Sequence, residues 1–298
     1  MPVREGVSAS VVAVPAGQWP SLLDFLAQRM PGVTRSEWAV RLDQGLVLHE
    51  NGQSARADQP CLAGQRFHYY RHVADEPRLP MQASVVFEDE HLLVADKPHF
   101  MPVTPSGPYV QQCLLVQLKR LTGLPDLVPL HRIDRETAGL VLFGKGPRER
   151  DAYHALFREH AIRKTYRAVA PHRPDLALPR VHTSRLAEDP AHFFKMREVP
   201  GEPNSETRVA LMRTEGARAL YQLEPVSGKR HQLRVHMMAM GLPIEGDQFY
   251  PQVLRAPDEA ENLEQPLQLL AHSLQFTDPH TGEHRQWTSA LRLRLQAP

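Results

Sequence analysis

Residues 131–144 read H-R-I-D-R-E-T-A-G-L-V-L-F-G, and this stretch constrains the fold more than any other. An aspartate between two arginines runs directly into an apolar segment, 140–143, bounded by Gly139 and Gly144. A short apolar run between glycines predicts a strand buried against a sheet. A charged loop pinned at the end of such a strand is a common seat for binding and catalytic groups. Opposite charge within a few Å favours the charged form of a carboxylate, the form that a nucleophilic or base aspartate needs. Asp134 is therefore a candidate catalytic group, with Arg132 and Arg135 beside it. The same pattern also describes a solvated ion-pair face, whose pairs contribute only about 0–1 kcal/mol each. The local pattern leaves both readings open.

Two further blocks bear on that choice. Residues 227–250 read S-G-K-R-H-Q-L-R-V-H-M-M-A-M-G-L-P-I-E-G-D-Q-F-Y, and 164–168 read K-T-Y-R-A. In this order the three blocks resemble the RluA-type RNA pseudouridine synthases, with their signatures H-R-L-D-R-x-T-S-G-L, K-x-Y-x-A, and G-R-T-H-Q-I-R-V-H followed by P-I-x-G-D-x-x-Y. The chain departs from these at Ile133, which conserves volume, and at Ala138, which loses a hydroxyl. Lys229 stands where an arginine is usual and Arg230 where a threonine is common. Charge is kept at 229, but a lysine is a point charge and not a planar fork.

The resemblance implies an α+β fold: a mixed, largely antiparallel sheet flanked by helices, plus a small α/β amino-terminal module. It implies an isomerase that converts specific uridines of structured RNA to pseudouridine. Large-subunit ribosomal RNA is the first expectation and transfer RNA the alternative. A noncatalytic RNA-binding protein of the same fold is a third reading. By the family pattern Asp134 is the catalytic aspartate, Arg234 pairs with it, and Tyr166 contacts the target base. Leu233 supplies an apolar wall, and Arg132 fills the stack vacated by the flipped base. Lys164, Lys229 and Arg230 are candidate phosphate contacts, and His131 and Arg135 line the substrate side. The isomerisation consumes no redox or phosphate energy, so no cofactor and no metal are expected. There is no phosphate-binding glycine loop. An aspartate-nucleophile hydrolase of small molecules is disfavoured, since no Ser-His-Asp or paired-carboxylate arrangement is recognisable.

Charge distribution agrees with an RNA partner. The whole chain carries only +1, yet 127–240 holds 20 lysines and arginines against 13 acids, a net of +7. Basic charge concentrated around the motifs is the footprint expected for phosphate contacts. No segment approaches the roughly 20 apolar residues of a membrane span, and no secretory leader is recognisable. Cys61 and Cys113 lack metal-ligand spacing. A cytoplasmic monomer is the expectation. Of the 16 histidines, His231 and His236 lie five apart, which does not match one helical face, and 231–236 reads as a strand or a strand-to-helix passage.

The chain divides by pattern into a module over 1–75, a linker over 76–83 within the proline-punctuated stretch 73–83, and a catalytic domain over 84–298. No element is expected before residue 21. Residues 21–30 are amphipathic, Thr34 can cap a second helix to about Asp43, and Gly45 stops it. Strands at 46–48 and 64–70 flank an Asn51-Gly52 turn. This order resembles the α-L RNA-binding module, although Glu37 and Asp43 offset Arg35 and Arg41. Further on, 84–98 reads as a hairpin ending in Lys97-Pro98, and 148–160 as an amphipathic helix. Residues 180–219 read as short apolar runs between loops, 248–266 as a surface loop, and 268–287 as a hairpin.

Overall fold

The structure is a computed structural model that describes residues 3–71, 73, 75–146, 150–256, 259 and 262–295. The amino-terminal unit follows local chemistry closely. Ser21 caps α1 (Leu22–Arg29) by accepting from the Asp24 backbone N–H. Thr34 and Glu37 form a reciprocal capping box on α2 (Arg35–Asp43), satisfying orphan donors of the first turn. The two helices cover a three-stranded antiparallel sheet of order β1-β3-β2, made of β1 (Ser10–Ala13), β2 (Val47–His49) and β3 (Arg66–Tyr69). Leu22, Phe25, Leu26, Trp38 and Phe67 fill the space between. The strand β1 departs from the expectation of no element before residue 21, because four residues with two valines carry too short an alternation to stand out.

The larger sheet has eleven strands. Its path runs β10-β9-β11-β12-β8-β13-β7-β5-β4, with β14 on β13 and β6 on β7. In chain order these are β4 (Ser84–Glu88), β5 (Leu92–Lys97), β6 (Val128–Pro129), β7 (Ala138–Gly144), β8 (Arg163–Pro171), β9 (Arg180–Asp189), β10 (His192–Val199), β11 (Ser205–Glu215), β12 (Arg218–Pro225), β13 (Leu269–Thr277) and β14 (His284–Thr288). Every pairing is antiparallel except β7 with β13, so the sheet is mixed and largely antiparallel as expected. All seven residues of β7 are buried, which explains why its sequence is a continuous apolar run and not an alternation. Against the sheet pack α3 (Leu114–Thr122), α4 (Arg150–Arg158) and α5 (Gln232–Ala239).

Two expectations are corrected, and a third is narrowed. The segment 180–219 forms long strands, not loops with short runs; a single residue of β9 is buried, so its apolar signal is thin. Residues 232–239 form a helix throughout, where a strand or a strand-to-helix passage is expected over 231–236, with Gln232 through Met237 all buried; a helix buried on every side shows no apolar stripe. The helix expected over 148–160 is seen as Arg150–Arg158, residues 148 and 149 lying outside the described residues.

The 76–83 segment is fastened at its start. The Glu76 carboxylate accepts the backbone N–H groups of Val110, Gln111 and Gln112 at 2.6–2.8 Å. Arg71 donates to the Pro105 carbonyl, and Lys119 of α3 to the Ser8 hydroxyl.

Candidate active site

The loop 131–137 enters β7 through a glycine that the backbone demands. Gly139 has φ +114° and pairs with Lys97 on one side and Ala271 on the other. A Cβ there would sit 2.2 Å from the Ala271 carbonyl oxygen, an approach only glycine permits. The loop is then tied down from beneath. Lys97, fully buried, donates from Nζ to the carbonyls of Pro98 and Arg135 at 2.9 and 3.0 Å. His99 Nδ1 lies 2.7 Å from the Glu136 carbonyl. His131 Nε2 accepts the Leu142 N–H at 3.0 Å, and its ring stacks on Phe157. Burial, followed by the Lys164 charge, pushes the His131 imidazole down to about 3. It is a neutral anchor of the loop.

Asp134 thus projects from a braced loop, its side chain about a quarter exposed. Arg234, on α5, comes to meet it, but its main partner is another residue. Nε and Nη2 of Arg234 donate to the two oxygens of Asp247 at 2.8 and 2.6 Å, a bidentate geometry. Asp247 also accepts the backbone N–H groups of Phe249 and Tyr250. The remaining nitrogen, Nη1, is buried without a hydrogen bond. It lies 3.6 Å from Asp134 Oδ2 and 3.5 Å from Glu136 Oε2. Burial works against the Arg234 charge, but Asp247 outweighs it and holds the guanidinium more firmly protonated than usual. Burial likewise opposes the Glu136 charge, yet Arg234 and Arg135 keep that carboxyl below its ordinary value. Burial drives the Lys97 ammonium down to about 7 despite Glu136 and Asp134.

Two adjoining compartments open on Asp134, of about 410 and 990 Å3, within the span typical of ligand sites. They share Arg132, Ile133, Asp134 and His231. The smaller is lined by Tyr166, Lys164, Lys229 and Leu233 together with His131. Burial, aided by the Asp134 charge, raises the Tyr166 phenol well above its usual value, so it meets a ligand as a neutral ring. Burial lowers the Lys164 ammonium. Arg132 and Lys229 are exposed at the rim, and Arg132 has no hydrogen bond or ion pair among the described residues. Arg135 reaches the Tyr109 ring and Glu136.

Arg230, expected as a phosphate contact, is partly engaged within the chain: its Nη2 donates to the carbonyls of Phe193 and Lys195 at 2.8 and 3.1 Å. Four contributors were not assigned from sequence: Lys97, Glu136, Asp247 and Tyr250. All lie inside the motif blocks quoted above or in the Lys97-Pro98 pair, so the signal was present without a chemical reason attached. His182, Glu198 and His236 could offer a metal three ligand atoms within 4.8 Å. Hydrogen bonds already account for them: His236 contacts Ser184, Ser205 and Thr207, and His182 contacts Glu198.

The chain also resembles known proteins. The RNA pseudouridylate synthase family model matches residues 91–239, which include Asp134, Tyr166 and Arg234. An RNA pseudouridine synthase of Synechocystis sp., itself uncharacterised, is 32% identical over 231 residues, covering 77% of this chain and 79% of the relative. The ribosomal large subunit pseudouridine synthase D of Nitrosomonas europaea is 26% identical over 283 residues, covering 89% and 79%. The solved human RNA pseudouridylate synthase domain containing 1 shares the fold, with a TM-score of 0.57 at 21% identity over 72% of this chain and 86% of that one. The loop carrying Asp134 and the helix carrying Arg234 both fall inside the matched region, and the chain belongs to the RNA pseudouridylate synthase family, isomerases that act on uridines in RNA.

Proposed function

We propose that Asp134 carries the chemistry, that Arg234 orients it, and that Tyr166 receives the uracil ring in the smaller compartment. The observation that supports this most is the state of Arg234. Two of its nitrogens are fixed on Asp247, and the third faces Asp134 with no hydrogen bond of its own. A cation so preorganised beside a reacting carboxylate needs little rearrangement as charge develops.

The isomerisation breaks the bond from uracil N1 to ribose C1′ and makes one from C5 to C1′. The C5 proton leaves, and N1 acquires one. The Asp134 carboxylate serves either by attacking the sugar or base or by removing a proton; both routes fit one carboxylate at this position. Leu233 closes the compartment with an apolar side. The target base is taken out of its stack to enter, a cost of a few kcal/mol, and the planar guanidinium of Arg132 at the rim suits the vacated place. Lys229 and Lys164 supply positive charge toward the backbone.

The substrate we propose is large-subunit ribosomal RNA. The Nitrosomonas relative, named for that subunit, aligns over most of this chain. Residues 1–75 act as an accessory unit that orients the catalytic domain. Cys61 and Cys113 are both free and buried, in keeping with a cytoplasmic setting. The test is to map pseudouridine in ribosomal and transfer RNA from cells with and without this gene. Loss of one or a few ribosomal positions is the expected result; loss confined to transfer RNA overturns the substrate, and no loss anywhere favours a noncatalytic RNA-binding role.

A further inference from the structure

The strand β10 does not follow β9 evenly. His192 pairs with Asp189 and Met196 with Glu188, so Phe193, Phe194 and Lys195 bulge from the ladder without partners on β9. A bulge re-aims side chains and bends its strand. Here it turns Phe193 outward to 80% exposure, the largest among the big apolar residues described.

The bulge is held from the side of the active site. Arg230 grips the carbonyls of Phe193 and Lys195. The Tyr250 hydroxyl accepts the Met196 N–H at 2.7 Å, contacts the Met196 carbonyl at 3.1 Å, and lies 3.0 Å from His231 Nδ1. Phe194 turns inward, its ring centroid 5.0 Å from Phe249. Phe249 and Tyr250 in turn lie beside the Arg234 guanidinium, each 5.3 Å away. Two of the groups that fix the bulge, Phe249 and Tyr250, therefore also flank Arg234.

A single exposed phenylalanine is ordinary on a protein surface. The position of this one is not. Phe193 lines the 990 Å3 compartment, which shares Asp134 with the compartment of Tyr166, together with Arg78, Arg132, Arg135 and Tyr109. Arg78 and Arg132 are exposed and have no ion pair among the described residues. Aromatic rings between free cations form the surface that single-stranded nucleic acid prefers, bases stacking on rings and phosphates meeting the cations. The charge favours a polyanion over a second copy of this chain.

We propose that Phe193 is a base-stacking platform for the RNA segment leading away from the target uridine, presented by the 193–195 bulge and tied to the active site through Arg230 and Tyr250. This rests on the RNA-modifying reading above.

The probe is ribosomal and transfer RNA labelled with tritium at uracil C5, prepared from cells lacking this gene; turnover releases the tritium. Phe193→Ala should raise KM about ten-fold, the effect of losing one stacked base, with kcat within two-fold of wild type. Phe193→Tyr should restore KM. Added to the double variant Phe193→Trp, Asp134→Asn, the same RNA should quench emission beyond the change given by the native tryptophans of Asp134→Asn alone. Wild-type turnover with an unchanged KM in Phe193→Ala, or a loss confined to kcat, overturns the platform and leaves the proposed function standing. A dimer in sedimentation that Phe193→Ala dissolves without moving KM also overturns it, assigning the patch to self-association. No tritium release and no RNA binding by the wild-type chain withdraws the RNA reading itself, and the platform with it.

Discussion

The amino-terminal unit and the Asp134 cleft handle charge in opposite ways. Among the described residues of 10–69 no charged side chain is buried, and the ion pairs lie outside: Arg35 with Asp24, and Arg56 with Asp58. In the cleft, Arg234 and Asp247 are each 1% exposed, Lys97 is fully buried, and Glu136 is 12% exposed. Surface pairs add little to stability. Buried pairs need a large desolvation cost returned, and apolar side chains of equal volume often do as well or better. Folding alone gives no reason to place four charges under one loop. The difference is one of placement: in the cleft Asp134, Glu136 and Asp247 converge within 3.6 Å of the Arg234 guanidinium, while the charges of the small unit keep a surface wet.

The largest effect should come from Asp134→Asn. The change is nearly isosteric at a partly exposed position, so the melting transition should stay that of the wild type while tritium release falls by at least about a thousand-fold, as for loss of a central catalytic group. Turnover by the Asp134→Asn variant would break the contrast at its centre. Next comes Asp247→Asn, which strips a buried guanidinium of its bidentate partner and should cost about 3–5 kcal/mol in chemical denaturation. Arg35→Ala, which removes an exposed partner, should leave the denaturation midpoint unchanged. Similar losses in both variants would erase the distinction between the two regions.

Acid should act mainly on the larger sheet. Burial depresses His99, His236 and His272 to about 4 and His131 to about 3, against about 6.5 in an unfolded chain. Between those values the unfolded state binds more protons, so stability falls as pH drops from about 6.5 toward 4. Lys97, driven to about 7 from 10.5, extends the same sign upward: its contribution grows as pH rises from 7 toward 10. Denaturant midpoints measured from pH 4.5 to 9 should climb throughout, and a plateau below pH 6.5 would show that these histidines are hydrated in solution.

Sequence legibility followed locality. Thr34 announces a helix start that the structure realises, with Glu37 completing the cap, and the run 140–143 announces β7. Asp134, Tyr166 and Arg234 were picked out by resemblance, and the fold brings all three to one compartment. The misses are non-local. Asp247 sits thirteen residues beyond Arg234, and nothing in the spacing says that the arginine would face it before Asp134. Glu136 reads as one more loop charge until burial places it 3.5 Å from Nη1. The helix α5 hid its period because all its faces are covered, and the bulge at 193–195 exists only relative to β9.

The smallest measurable loss expected is also the one that tests whether the two regions are separate at all. Thr34→Ala removes the hydroxyl that accepts the Glu37 N–H and should cost about 1 kcal/mol. If the unit opens on its own, native-state hydrogen exchange should quicken in α1, α2 and β3 while the amides of β7 keep their protection. The contacts from Arg71 to Pro105 and from Glu76 to 110–112 argue for some transmission, since Tyr109 of the same loop lies under Arg135. Faster exchange reaching β7 would mean that the small unit and the catalytic sheet fold as one body, and the wet surface of the one would then be helping to hold the buried charges of the other.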